Sequence, residues 1–171
     1  MLKRYPARLA LIAIVVAMCA ACSSDGSPTE PGGIGTAPTD FSGQYLGSYN
    51  VIACSADPLF SGFCDGFPAG TNLPITLSLT QSHQDVTGTV SLGSLTGTFT
   101  GTVSGGVLTA TAVMNDLQAD GSGGTTVKVT LESWSTTITG STLTGGFKVV
   151  FRVPSSSGSA TLTATIQQLI R

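Results

Sequence analysis

From Phe41 onward the apolar positions recur at every second residue. Ile75, Leu77 and Leu79 alternate with Thr76, Ser78 and Thr80, and Val86, Gly88, Val90 and Leu92 alternate with Thr87, Thr89 and Ser91. Leu95, Gly97, Phe99, Gly101 and Val103 alternate in the same way with Thr96, Thr98, Thr100 and Thr102. An apolar face opposed by a threonine face is the pattern of a half-buried antiparallel strand. Brief turn signals separate the runs: His83-Gln84-Asp85, Gly93-Ser94 and Ser104-Gly105-Gly106. Connections so short force hairpins, which makes neighbours in sequence neighbours in the sheet. The pattern predicts eight strands, at about 43–53, 73–82, 86–92, 95–103, 107–114, 125–137, 143–153 and 159–169.

No window carries an apolar stripe at the 3.6-residue helical period. Parallel pairing would need crossovers of about a dozen residues or more. Only the connections 54–72 and 115–124 approach that length, and both are rich in Gly, Asp or Pro. The expected fold is therefore all-β, an eight-stranded antiparallel up-and-down barrel, since closure removes the two edges that an open meander would leave.

Ahead of the strands the pattern changes twice. Lys3, Arg4 and Arg8 precede an uninterrupted apolar run from Leu9 to Ala21. The run falls short of the roughly 20 residues that a membrane-spanning helix needs, so residues 1–21 read as a secretory signal, with an uncleaved anchor as the alternative. Ser23 to Asp40 then holds 13 Ser, Gly, Pro or Thr residues in 18, with Ile34 its one large apolar side chain. Such a segment cannot build a core and reads as a flexible tether, spanning about 25 Å as a coil. The domain organisation expected is signal 1–21, linker 22–40 and barrel 41–171.

The signal ends Cys19-Ala20-Ala21-Cys22-Ser23. This resembles the lipobox of bacterial lipoproteins, in which small residues precede a cysteine that is lipidated and becomes the new N-terminus. Ala20, Ala21 and Cys22 match, whereas Cys19 stands where Leu is usual. The resemblance implies lipidation at Cys22, a membrane anchor through that lipid and, because Ser23 rather than Asp follows, forwarding to the outer membrane of a Gram-negative cell. Cleavage after Ala21 without lipid is the alternative. The strand pattern in turn resembles small soluble barrels of the lipocalin and avidin (calycin) type. Phe41-Ser42-Gly43-Gln44-Tyr45 is similar to the G-x-W that opens lipocalins, with Tyr45 in the Trp position. The helix that lipocalins pack beside the barrel is not expected after the last strand. Avidins grip biotin with several tryptophans, and this chain has one, Trp134, so biotin is not the implied ligand.

Composition narrows the chemistry. Only 9% of the residues are charged, against about 25% in an average domain, while Ser and Thr together number 45 and Gly 22. Loss of the signal would leave four basic residues against nine acidic ones, a balance of −5, which is the wrong sign for a nucleic-acid surface. With Cys19 and Cys22 assigned to the signal and the lipid, Cys54 and Cys64 remain and read as a disulfide. One histidine is too few for a zinc site, and nine residues between the cysteines do not make a redox pair. Ser82, His83 and Asp85 share one tight turn and cannot converge on a reacting atom as a triad must. The Asp120-Gly121-Ser122-Gly123-Gly124 loop lacks the donor alternation and terminal Glu of a calcium loop. No enzyme, metal or cofactor is expected.

What remains is the barrel itself. Leu77, Leu79, Val90, Phe99, Val129, Leu131, Phe147, Phe151, Leu162 and Ile166 are the expected lumen residues, interspersed with Gly88, Gly97, Gly101, Gly145, Ala160 and Ala164. An eight-stranded lumen is either just filled by side chains or holds one small ligand. The glycines read as ligand space or as bends. Two functions stay open: binding of a small apolar ligand, or contact with an envelope protein through the outer face and loops. Strict alternation puts Glu132, Trp134, Lys148 and Arg152 together on the outside, with Glu132 opposite or diagonal to Lys148. That placement makes Trp134, Lys148 and Arg152 the candidate partner contacts.

Overall fold

The computed structural model describes residues 39–118 and 125–171. The signal, Cys22, most of the linker and the Asp120–Gly124 loop lie outside them. Strands β1 (Gly43–Ala56), β2 (Asn72–Ser82), β3 (Asp85–Leu92), β4 (Leu95–Ser104) and β5 (Val107–Met114) follow one another as hairpin neighbours. A two-residue strand, β6 (Leu117–Gln118), pairs only with the start of β7 (Thr126–Thr139). Then come β8 (Thr142–Arg152) and β9 (Ser159–Ile170). β5 pairs with β7 and β9 returns to β1, so eight antiparallel strands close into an up-and-down barrel. The architecture is consistent with a calycin-like barrel, and each of the eight expected strands is present within three residues of its expected bounds.

The two poles of the barrel differ. At one, two-residue turns at 83–84, 105–106 and 140–141 place His83, Gly105, Gly106 and Gly140 at positive φ. A left-handed first turn residue matches the twist of the strands it joins. The chain enters at this pole, where Asp40 and the Ser42 carbonyl meet Arg171. At the other pole lie the Gly93-Ser94 turn and three longer connections, 57–71, 115–125 and 153–158.

Inward residues form one continuous core, and all ten expected lumen residues belong to it. The expected register holds in most strands but breaks in β7. Leu131 pairs with Ala112 and Val149, while Trp134 pairs with Ala110 and Phe147, so β7 carries an extra residue relative to both neighbours. Glu132 and Ser133 are both exposed, and Leu131 and Trp134 are both inside. This is a β-bulge, which inverts the inside–outside parity beyond it. Trp134 is therefore not an outer-face residue: it is 2% exposed and sits in the lumen. The expectation that it contacts a partner is corrected on that ground. A second bulge, at Gln167-Gln168 in β9, keeps both Ile166 and Leu169 inside.

The glycines act as close approaches and bends. A Cβ on Gly88 would lie 1.9 Å from the Ser78 carbonyl oxygen of the adjacent strand. On Gly145, which has φ +150°, it would lie 2.1 Å from the carbonyl oxygen of Ser135. Neither leaves space for a ligand. Gly145→Ala is expected to lower the unfolding free energy by about 2–4 kcal/mol. Gly140→Ala, in a turn with nothing within 4 Å of a new Cβ, should cost only about 1 kcal/mol. Urea unfolding of the two variants side by side checks the difference.

Candidate functional site

The lumen has a filled half and a hollow half. Toward the pole of two-residue turns it is closed by Phe41, Tyr45, Leu108, Leu143 and Leu169, all fully buried. The Tyr45 hydroxyl donates to the Phe41 carbonyl at 3.0 Å, and the Arg171 guanidinium lies 5.9 Å from the Tyr45 ring centre. Above this seal, four rings cross the barrel. Phe99 meets Trp134 edge to face at 5.3 Å, Trp134 stacks on Phe147 at 5.5 Å with 14° between the planes, and Phe147 meets Tyr49 at 5.0 Å and 72°. The Trp134 indole N–H donates to Thr136 Oγ1 at 2.9 Å, which satisfies both polar groups inside the lumen. Offset and edge-to-face contacts of this kind contribute about 0.5–1.5 kcal/mol each beyond burial.

Beyond Tyr49 the side chains no longer meet. A cavity of about 220 Å³ opens toward the pole with the long connections. Its walls are Leu73 of β2, Leu92 and Leu95 on either side of the Gly93-Ser94 turn, Val149 and Phe151 of β8, and Leu162 of β9. Phe67 from the 57–71 connection and Leu117 of β6 contribute from the rim, and Tyr49 is the one ionisable residue in the lining. Burial pushes the Tyr49 phenol up to about 12. Among the described residues no nucleophile paired with a base lines the cavity. Its chemistry is that of apolar binding with two hydroxyl-bearing residues in the described lining, Tyr49 in the interior and Ser94 at the turn.

The disulfide shapes the rim. Cys54 at the end of β1 bonds Cys64 with Cα atoms 5.6 Å apart, as expected from the cysteine count. It holds two short 3-10 turns, Pro58–Phe60 and Phe63–Gly66, over the mouth. Phe63 then packs on Phe151 at 4.7 Å and on Phe67 at 5.0 Å. Asp57 accepts hydrogen bonds from the Ser159 backbone N–H (2.9 Å) and hydroxyl (3.3 Å), which ties the same connection to the start of β9. On the opposite side, Lys128 pairs with Asp116 at the base of the 115–125 connection.

Of the expected lumen residues, Phe151 and Leu162 line this cavity. Leu77, Leu79, Val90, Phe99, Val129, Leu131, Phe147 and Ile166 lie in the packed core and not in its lining. Tyr49, Leu73, Leu92, Leu95 and Val149 went unrecognised. Leu92 and Leu95 carried a usable signal, because residues flanking a two-residue turn must stand at a mouth of the barrel. On the outer face, Glu132 pairs with Lys148 at 2.7 Å and with Arg152 at 3.4 Å, which agrees with the expected cross-strand neighbourhood. The Lys148 hydrogen bond, with its charge and that of Arg152, holds the Glu132 carboxyl below the ordinary glutamate range. His83 lies in an exposed turn, 3.4 Å from the Ser82 hydroxyl. Among the described residues no three His, Cys, Asp or Glu side chains gather into a metal site.

No family model matches the chain, and neither a curated protein nor a solved structure matches it. The site is read from its own chemistry.

Replacing both cysteines by serine is expected to lower stability by about 2–3 kcal/mol, the loop-closure entropy of a connection this long. The change should be local in its kinetic signature. Amide exchange should quicken through 57–71 and stay slow in β3 and β4. Uniform acceleration across the barrel would show that the bond braces the whole fold and not the rim.

Proposed function

We propose that this chain is an envelope lipoprotein whose barrel binds a small apolar molecule at its open mouth, without catalysing a reaction. The observation that carries the reading is the cavity: about 220 Å³, walled by aliphatic and aromatic side chains, at the pole that bears the long connections. Concave, mostly apolar sites with few polar groups are the usual form of small-molecule sites. The volume exceeds the ~150 Å³ apolar cavity that takes up benzene and falls below the ~300 Å³ of drug-sized pockets. A molecule of one substituted ring or a short branched chain fits that interval. A lipid on Cys22, with residues 23–40 as the tether, would join the barrel through the chain entry at the pole opposite the mouth and leave the mouth free; Ser23 favours the outer membrane. The lipocalin-like G-x-W position is filled by Tyr45, which seals the tethered pole and leaves ligand contact to the other.

Native mass spectrometry of the protein purified from its own host tests the reading. A retained small molecule, lost in a Leu73→Trp variant that fills the mouth yet melts normally, is the expected result. An empty cavity without affinity for small apolar compounds would favour the competing function, contact with an envelope protein through the outer face and loops. For the anchor, Cys22→Ala should release soluble protein whose barrel melts at the wild-type temperature, since the linker composition offers no core residues. Membrane fractionation and a thermal melt check both halves.

A further inference from the structure

We propose that the ligand is an uncharged amphiphile, a compact apolar body with one hydrogen-bonding group, and that the Tyr49 hydroxyl receives that group at the floor of the cavity. This rests on the ligand-binding reading above and specifies its chemistry. Tyr49 is 3% exposed, and its ring is held in place by the edge-to-face contact with Phe147 at 5.0 Å. Every buried side-chain nitrogen or oxygen that is sealed from solvent has a partner. The Tyr49 oxygen has none among the described residues and is therefore not one of the sealed atoms, and Tyr49 lines the cavity.

A hydroxyl open to the cavity is hydrated when the barrel is empty, and a matching ligand group takes the place of that water and keeps the hydrogen bond as the apolar body is buried. Because burial holds the phenol proton up to about 12, the group stays protonated and can donate across the physiological range. Among the described residues the walls carry no charged side chain. A carboxylate or ammonium group would enter with nothing to offset its lost hydration, so the polar group of the ligand is neutral. A ketone, alcohol or phenol placed downward on Tyr49 would set its apolar body against Leu73, Leu92 and Leu162.

Acetophenone and ethylbenzene are matched in size and differ in a carbonyl. Calorimetric or amide-NMR titration of wild type and Tyr49→Phe with both compounds tests the inference. The expected result is that both bind wild type, and that Tyr49→Phe weakens acetophenone roughly three- to tenfold while ethylbenzene is unchanged or tighter, one hydrogen bond being lost. If both bind and the substitution affects them equally, the Tyr49 role is overturned and the apolar pocket stands. If neither binds, the pocket reading falls and the Tyr49 role with it. The unliganded proteins give an independent readout. Tyr49→Phe should melt at or above the wild-type temperature, and a marked drop would show that the hydroxyl has a partner in the empty barrel, which overturns the inference.

Discussion

Closing eight strands on themselves sets the width of the lumen, and every inward side chain must either span that width or leave it hollow. An eight-stranded barrel is just wide enough for side chains to meet at the axis. Here the meeting is made by rings. Phe99, Trp134, Phe147 and Tyr49 form one chain of contacts across the interior, and the cavity begins on the far side of Tyr49. Beyond that chain of rings Leu73, Leu92 and Leu162, with Phe151 and Phe67 at the wall and rim, do not meet across the axis and the lumen stays open. The position of the hollow thus follows from the position of the aromatics.

That arrangement depends on one inserted residue. Without the bulge at Glu132, alternation from Leu131 would turn Trp134 outward and remove the largest member of the ring chain. The magnitudes show which side of the strand drives the geometry. Exposed ion pairs such as those of Glu132 with Lys148 and Arg152 are worth about 0–1 kcal/mol each, whereas truncating a buried aromatic residue costs about 3–5 kcal/mol. Burial of Trp134 stabilises the bulge, and the carboxylate occupies the outward position that the bulge creates.

The strands were legible because two signals agree along most of the chain: a period of two and two-residue turns with Gly or a polar residue at positive φ. Both are local. The bulges were not legible by alternation, since Leu131-Glu132-Ser133-Trp134 read with a strict period of two puts the tryptophan outside. A local mark does exist. Two adjacent polar residues precede a large apolar one at both bulges, Glu132-Ser133-Trp134 and Gln167-Gln168-Leu169. Thr136-Thr137-Ile138 has a polar pair in the same place and keeps its register, so the mark alone does not locate a bulge. The disulfide was legible from the cysteine count and the exported character of the chain. The cavity was not, because it depends on which inward side chains fail to touch across the barrel, a property of opposite walls that no single strand encodes. Eight of the ten expected lumen residues are inside but serve the packed core.

The two poles then divide the work of the barrel. Short turns can join strands at either end, but a sealed pole also needs the chain that arrives there to be held down. Asp40, Ser42 and Arg171 do this on the outside, and Phe41 and Tyr45 do it within. The backbone N–H of Ser42 donates to the Asp40 carboxylate at 2.8 Å, which together with Arg171 holds that carboxyl below its ordinary range. The open pole instead carries longer connections, two of them pinned by identified contacts: 57–71 by Cys54–Cys64 and Asp57–Ser159, and the base of 115–125 by Asp116–Lys128. The 57–71 connection, fixed at both points, covers the mouth without filling it. The chain enters at the sealed pole, opposite the apolar mouth, so neither the seal nor the entry obstructs the cavity.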